Sequence, residues 1–323
     1  MRMRTQRSAG ARTLIVLAIV ILVIVAALAI VSPTFLTPGN LTDLLMRMSP
    51  LGMLAIAETI VLVSGGFDLT IGVVMALSAA VCGTLYGLAL PFPLVLASAL
   101  ASGVAVGALN AFCVVQLRLQ PFIVTLATMS IVRSVVYAML KGNVLTELPD
   151  TFLNLRYVSL LGVPLLFIVL VVVAALCIVL MRLTTVGRRI FAVGGNEKTA
   201  FLSGVFVTRT KYFVYCLSGV IAAFAGLLYT VRVRAVIPDT GINAPLEVIT
   251  AVLIGGTSIA GGKGSIIGSL LGIFAMFLLL NGFSLLGLNP FWEVIILGLI
   301  LIYVVGQEGI TRGLRLVFAK RRG

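Results

Sequence analysis

The side chains that usually carry enzymatic chemistry are few in this sequence. Histidine is absent from all 323 residues, which removes the commonest proton relay and the usual base of serine or cysteine nucleophiles. Cys82, Cys113, Cys177 and Cys216 stand singly in apolar segments, without the CxxC spacing of metal or redox sites. They are expected to be small buried apolar residues. The sequence therefore predicts neither a metal site nor a catalytic one.

A glycine-rich stretch, GGTSIAGGKGS at Gly255–Ser265, invites comparison with a nucleotide-binding loop. The phosphate-binding pattern GxxxxGK[ST] requires glycine where Thr257 stands and a hydroxyl residue where Gly264 follows Lys263. The stretch fails the pattern, and a turn between two membrane spans is the better interpretation, because its small residues allow close helix packing. No cofactor is expected in this chain.

Two charged residues fall deep in apolar sequence. Glu58 lies six residues before Ser64, about 9 Å into a membrane, and Arg133 lies twelve residues after Pro121, about 18 Å deep at the same rise per residue. Because buried charges are costly in lipid, both should face protein or water. They either line a polar route or form a structural ion pair with each other.

The stretch SGGFDLTIG, Ser64–Gly72, interrupts the apolar sequence. Its glycines should break a helix, and Thr70 is placed to cap the next one. Non-helical backbone at membrane depth must be buried in protein or line water, so Asp68 is either a structural residue or part of a gate. Asn110, Thr125 and Thr128 either line a polar route or join neighbouring helices by hydrogen bonds.

The most polar internal stretch is GRRIFAVGGNEKTAFLSGV, Gly187–Val205. Gly194 and Gly195 should permit a tight or left-handed turn. Asn196 is a favoured N-cap, and Glu197 supplies an acid in the first turn of a short helix. Helical spacing then predicts a face of small residues for a second protein, formed by Ala200, Phe201 and Gly204. The stretch is either a solvated loop or a docking helix.

Membrane-spanning helices must position these residues. The chain is 61% hydrophobic and 10% charged, with a mean hydropathy of +1.23, and its apolar runs approach the ~20 residues that cross a bilayer. We expect an all-α polytopic membrane protein rather than a soluble domain or a β-barrel. About ten transmembrane helices are predicted, at residues 14–32, 46–63, 72–89, 92–115, 121–140, 163–181, 211–231, 246–259, 265–280 and 291–306.

The basic residues predict the orientation. With ten spans and a cytoplasmic N-terminus, most of the 23 Lys and Arg residues fall in cytoplasmic segments. The exceptions are Arg47, Arg133, Lys141, Arg156, Arg232 and Arg234. Both termini should be cytoplasmic, as basic segments 1–13 and 307–323 around a transmembrane domain over 14–306. The net charge of +13 should meet anionic membrane lipids rather than nucleic acid.

Four stretches carry a family resemblance. They are SGGFDLTIG, LNAFCVVQLRLQPFIVTLATM at Leu109–Met129, TTVGRRIFAVGGNEKTAFLSGV at Thr184–Val205, and EVITAVLIGGTSIAGGKGSIIGSLLG at Glu247–Gly272. In this order they resemble the monosaccharide-type permeases of bacterial ATP-binding-cassette (ABC) importers, the ribose, arabinose, xylose and galactose group. The resemblance runs from about residue 40 to 306. Departures from glycines common in the family are Ala111, Ala127 and Ser134.

The resemblance implies a permease subunit, not an enzyme, that moves a monosaccharide across the bacterial inner membrane by alternating access. The implied assembly is a homodimer with an ATP-binding subunit, which binds the ATP, and an extracytoplasmic sugar-binding protein. The segment of about 185–205 would be its coupling helix, with ATPase-coupling residues Gly187, Arg188, Arg189, Gly194, Gly195, Asn196, Glu197 and Ala200. Candidate pathway or gate residues are Glu58, Asp68, Asn110, Phe122, Thr125 and Arg133. Candidate residues for docking the binding protein, through charge complementarity, are Lys141, Arg156, Arg232 and Arg234.

Three alternatives stay open. A related ABC permease for branched-chain amino acids or nucleosides would have the same helical organisation and the same kinds of partner. A stand-alone ion-coupled carrier needs carboxylates near the membrane midplane, for which Glu58 is the one candidate. A membrane-embedded enzyme would need a catalytic cluster that the sequence does not offer.

Overall fold

The computed structural model describes residues 2–289, 291, 292, 295, 296, 298–300, 302 and 306, with side chains from residue 12. The helices named in this part of the chain are α1 (Arg2–Val31), α2 (Pro38–Val63), α3 (Ile71–Gly87), α4 (Phe92–Val115), α5 (Pro121–Leu140), α6 (Asp150–Leu153), α7 (Leu165–Leu183), α8 (Thr185–Gly195), α9 (Glu197–Leu202), α10 (Val207–Val233), α11 (Ala244–Ile254) and α12 (Ile266–Leu285). A 3₁₀ helix at Asn154–Tyr157 and a small antiparallel hairpin, β1 (Ser159–Leu160) with β2 (Val163–Pro164), precede α7.

Seven of these helices are long and apolar enough to cross a membrane: α1 from residue 12, α2, α4, α5, α7, α10 and α12. They correspond to seven of the ten predicted spans. Helix α3 has 17 residues and α11 only 11, so α11 is about 16 Å long against the ~30 Å of a hydrocarbon core. The span predicted at 246–259 is therefore a half-length helix. The span predicted at 291–306 lies partly, and the segment 307–323 wholly, outside the described residues.

Helix α10 forms the centre of the bundle and packs against α2, α3 and α4. Its contact with α4 is made by glycine, because a Cβ on Gly219 or on Gly103 would collide with the carbonyl oxygen of the other. A Cβ on Gly107 would likewise meet the carbonyl oxygen of Tyr215. Small residues thus bring the two backbones together, as is common between membrane helices, and hold α10 firmly against α4.

The bundle has two ends. At the first, the α8 end, helix α8 lies beside the last residues of α2 and the loop of residues 255–265 between α11 and α12, and α9 packs against α8 and α10. At the opposite end, Asn40 at the start of α2 bonds Asn281 near the end of α12 through both amides, at 3.1 and 2.8 Å. The two ends therefore present different parts of the chain, and α8 with α9 projects at only one of them.

Candidate functional site

Two short helices with side-chain caps build the polar stretch at the α8 end. The Thr184 hydroxyl accepts a hydrogen bond from the Gly187 N–H at 3.2 Å and so caps α8. The Asn196 side chain accepts one from the Thr199 N–H at 2.9 Å and caps α9. Both bonds satisfy backbone donors that a helix start leaves free. The predicted N-cap at Asn196 and the helix beginning at Glu197 are confirmed.

The two glycines before this cap serve a different purpose from the predicted one. Gly194 and Gly195 are the last helical residues of α8, without left-handed backbone, so the prediction of a turn at this point is wrong. Gly194 is required by contact, because a Cβ there would collide with the Val63 carbonyl oxygen and lie 2.8 Å from the Gly262 nitrogen. A Cβ on Gly195 would meet no atom of the described chain within 4 Å.

Gly194 belongs to a contact among three chain segments, here called the glycine junction: Gly65 after α2, Gly194 in α8, and Gly261 and Gly262 before α12. The Gly262 N–H donates to the Val63 carbonyl oxygen at 2.9 Å. Gly65, Gly261 and Gly262 have φ of +80°, +82° and +70°, values that side-chain-bearing residues rarely adopt. Backbone therefore touches backbone, and α8 cannot move toward the two loops without pressing on both.

The outward surface of α8 and α9 is basic and apolar. Arg188 and Arg189 are exposed, and Phe201 and Leu202 are 69% and 84% exposed. Ala200 is only 4% exposed. The predicted small-residue face is therefore wrong: α9 ends at Leu202, and turns its large apolar side chains outward. Gly204 lies beyond the helix in left-handed backbone, with φ +79°.

A second site, here called the polar cluster, is buried inside the bundle and comprises Glu58, Asp68, Thr70, Asn110 and Ser218. Asp68 accepts three hydrogen bonds, from the Thr70 N–H at 2.9 Å, the Thr70 hydroxyl at 2.5 Å and the Ser218 hydroxyl at 2.9 Å. Asn110 donates to the Thr70 hydroxyl oxygen at 3.0 Å. Thr70 precedes α3 without a side-chain capping bond, so the predicted cap is wrong, and its hydroxyl instead joins Asn110 to Asp68.

Glu58 is the least satisfied member of the polar cluster. It is fully buried, and its Oε1 accepts only a long bond of 3.5 Å from the Asp68 N–H. Its Oε2, like the Oδ1 of Asn110, has no hydrogen-bond partner among the described residues. In the part of the chain that the structure describes, the ion pairs join Arg47 to Asp43, Lys211 to Glu197 and Arg234 to Asp150, all outside the polar cluster. The predicted pairing of Glu58 with Arg133 is therefore wrong.

The other three candidate pathway residues lie on α5, apart from the polar cluster. Thr125 is buried and donates to the Pro121 carbonyl oxygen of its own helix at 2.9 Å. Phe122 is half-exposed and contacts the ring of Phe67, next to Asp68, with centroids 5.6 Å apart. Arg133 is partly exposed, two thirds of the way along α5. It shares the outward side of this helix with exposed residues Ser130, Ser134 and Tyr137.

The four basic residues considered for protein docking lie at the opposite end. Arg156 Nη1 donates to the Arg232 carbonyl oxygen at 2.5 Å, and Arg234 pairs with Asp150 at 3.4 Å. These three arginines are half-buried, whereas Lys141, which ends α5 in left-handed backbone, is exposed. Three of the four thus make contacts at the end of α10, whereas Lys141 is the most exposed of the four.

Comparison with known proteins identifies the family. Residues 40–305 match the family described as "Branched-chain amino acid transport system / permease component". The chain is 35% identical to the ribose import permease protein RbsC of Bacillus subtilis over 285 residues, 88% of both chains. It is 35% identical to RbsC of Escherichia coli K12 over 291 residues, 89% of this chain and 91% of that one.

A third relative, the L-arabinose transport system permease protein AraH of Escherichia coli K12, is 34% identical over 287 residues, 89% of this chain and 88% of AraH. No solved structure matches the chain. These relatives are transport permeases rather than enzymes, and they cover the polar cluster as well as the α8 end. The chain therefore belongs to this family of inner-membrane, multi-pass permeases, in the branch of the monosaccharide ABC permeases.

Proposed function

We propose that this chain translocates a monosaccharide by alternating access, as one half of a homodimer driven by a partner ATPase. The names of its relatives support a pentose such as ribose or arabinose as the substrate. The observation that carries the proposal is the arrangement of α8 and α9. Phe201 and Leu202 of α9 are exposed, while Gly194 of α8 packs closely in the glycine junction.

The exposed surface of α8 and α9 suits the docking of a soluble protein. Protein interfaces combine an apolar centre with arginine at its edge, and Phe201 and Leu202 beside Arg188 and Arg189 supply both. In this proposal the surface contacts an ATP-binding subunit, which holds the ATP. The α8 end is then cytoplasmic, and so, by the charge pattern of the sequence, are both termini. A sugar-binding protein then docks at the opposite end, where Lys141 is exposed and attracts acidic residues.

The polar residues on the outward side of α5 favour assembly with a second copy of the chain. Arg133 lies about 18 Å from the start of this helix, close to the middle of a membrane, where a charge facing lipid is very unfavourable. Ser130, Ser134 and Tyr137 are exposed on the same side. In a homodimer this side of α5 would line a water-filled route between the two subunits, in which Arg133 remains solvated.

Two alternatives have their own support. The family description names branched-chain amino acids, although the relatives named above are sugar permeases. Ion coupling is favoured only by the unpartnered Glu58 carboxylate oxygen within the described residues. Neither observation accounts for the exposed apolar surface of α9, which the ATPase-driven importer explains.

Uptake measurements separate these functions. The chain is co-expressed with the proteins encoded beside it, and cells are given labelled ribose, arabinose or leucine. We expect accumulation of a pentose that vanadate, an inhibitor of ABC ATPases, abolishes and that an ionophore leaves intact while ATP is maintained. Leucine uptake instead would support the amino-acid alternative. Uptake that the ionophore abolishes and vanadate spares would support the ion-coupled carrier.

A further inference from the structure

One side of α10 bonds both the coupling segment and the polar cluster. Lys211, Tyr215 and Ser218 follow one another at spacings of four and three residues, so they lie on the same helical face. Lys211 Nζ pairs with Glu197 of α9 at 2.6 Å, and the Ser218 hydroxyl donates to Asp68 at 2.9 Å. Between them, the Tyr215 hydroxyl donates to the Phe67 carbonyl oxygen at 3.3 Å.

These three bonds reach from the surface to the interior. Lys211 and Ser218 are seven residues apart, about 10 Å along the helix, and the exposed fraction falls from 17% for the Lys211 side chain to 1% for Ser218. The Tyr215 hydroxyl also lies against Gly66, where an added Cβ would be 2.9 Å from it. The segment of residues 64–70 is thus held by α10 at two points, through Phe67 and Asp68.

We propose that this face of α10 transmits movement of the coupling segment to the Asp68 segment, with Lys211, Tyr215 and Ser218 as positioning residues. The inference rests on the proposed function, since it assigns a role to ATPase-driven movement of α9. Within the glycine junction, Gly194 of α8 packs against backbone atoms of the other two segments without a hydrogen bond among the described residues. The contact of α8 therefore resists compression only. The ion pair and hydrogen bonds of the α10 face are attractive, so they also pull the Asp68 segment when α9 moves away.

The strength of the inner bond follows from its surroundings. Ser218 and Asp68 are both buried, and a hydrogen bond to a carboxylate in a medium of low dielectric is stronger than one in water. The helix itself behaves as one body over this length, because its own backbone hydrogen bonds join each turn to the next. Displacement of Lys211 is therefore expected to move Ser218, and Asp68 with it.

The test measures labelled sugar transported per ATP hydrolysed, in proteoliposomes that contain the permease with its co-purified ATPase and binding protein. Tyr215→Phe and Ser218→Ala remove the inner hydroxyls. We expect both to keep the ATPase and its hydrolysis while the transport ratio falls. The fall should be roughly tenfold for Ser218→Ala, which loses a buried bond to a charged group, and smaller for Tyr215→Phe, whose bond is to a neutral carbonyl oxygen. The matched controls are Tyr212→Phe, whose hydroxyl has no hydrogen bond within the described residues, and Thr230→Val, whose hydroxyl bonds only its own helix at Gly226.

The outer bond, between Lys211 and Glu197, is tested by exchanging the two charges. This test remains available if the variants at Tyr215 and Ser218 do not fold. Glu197→Lys and Lys211→Glu alone should each lower the transport ratio, and the double variant should restore it. An unchanged ratio in all of these variants, or an equal loss in the two controls, would overturn the inference. If the wild-type permease retains no ATPase, the proposed function itself fails. This result differs from a variant that keeps the ATPase bound but transports less sugar per ATP hydrolysed.

Discussion

Gly194 of α8 lies directly against the carbonyl oxygen of Val63, the last residue of α2. The same oxygen accepts a hydrogen bond from the Gly262 N–H at 2.9 Å. One carbonyl group at the end of α2 therefore contacts both α8 and the loop before α12. This contact requires glycine for reasons of space, whereas the neighbouring Gly195 has room for a side chain.

Gly194→Ala and Gly195→Ala form a matched pair. The first places a methyl group on the Val63 carbonyl oxygen, so we expect a loss of stability of about 1–3 kcal/mol, as for other overpacked sites, together with loss of uptake. The second should retain both, because its methyl group meets open space. Thermal unfolding in detergent measures the difference, and equal unfolding temperatures for the two variants would contradict the assigned contact.

Asp68→Asn tests the polar cluster. The carboxylate accepts bonds from three donors, and an amide must turn its own donor toward at least one of them. We expect a loss of about 1–3 kcal/mol, the cost of an unsatisfied buried group. Asp43→Asn is the control, since it breaks an exposed ion pair with Arg47 that is worth at most about 1 kcal/mol. A shift of the unfolding temperature that is no larger for Asp68→Asn than for Asp43→Asn would argue against the three-donor arrangement.

The environment of Arg133 can be measured by chemical labelling. In a variant with its four native cysteines replaced by alanine, Arg133→Cys should react with a charged, membrane-impermeant thiol reagent, because a mid-membrane arginine requires water. Leu176→Cys on α7, an exposed apolar position, should stay protected by lipid. We expect a rate ratio on the order of tenfold or more. Equal protection of both positions would contradict a water-filled route along α5.

Local patterns in the sequence were sufficient to predict the features that depend on a few neighbouring residues. The cap at Asn196 and the start of α9 at Glu197 needed only the side chain and its position. The long apolar helices followed from length and composition alone. Glu58 and Asn110 are polar residues within apolar spans, and Asp68 follows a glycine break at membrane depth. The structure brings these three predicted residues together.

Other features depend on how the helices face each other, which periodicity does not reveal. Depth along the chain predicts a pair between Glu58 and Arg133. Glu58 is instead buried in the polar cluster, whereas Arg133 lies on the outward side of α5. The need for glycine at position 194 arises from α2 and the loop before α12, far away in sequence. The polar residues Lys211, Tyr215 and Ser218 form a stripe at helical spacing through an apolar span, a signal that a single short motif does not contain.

The most direct test of the account is whether the α9 surface binds the ATPase. Tagged permease, co-expressed with the proteins encoded beside it, is purified in detergent as the wild type, as Phe201→Ser with Leu202→Ser, and as Leu161→Ser. The last variant changes an exposed leucine at the opposite end. We predict that wild type and Leu161→Ser retain an ATPase, and that the double variant, folded and inserted equally well, loses it. Retention of the ATPase by the double variant, or its absence from the wild type, would contradict the assignment of this segment as the site that couples ATP hydrolysis to transport.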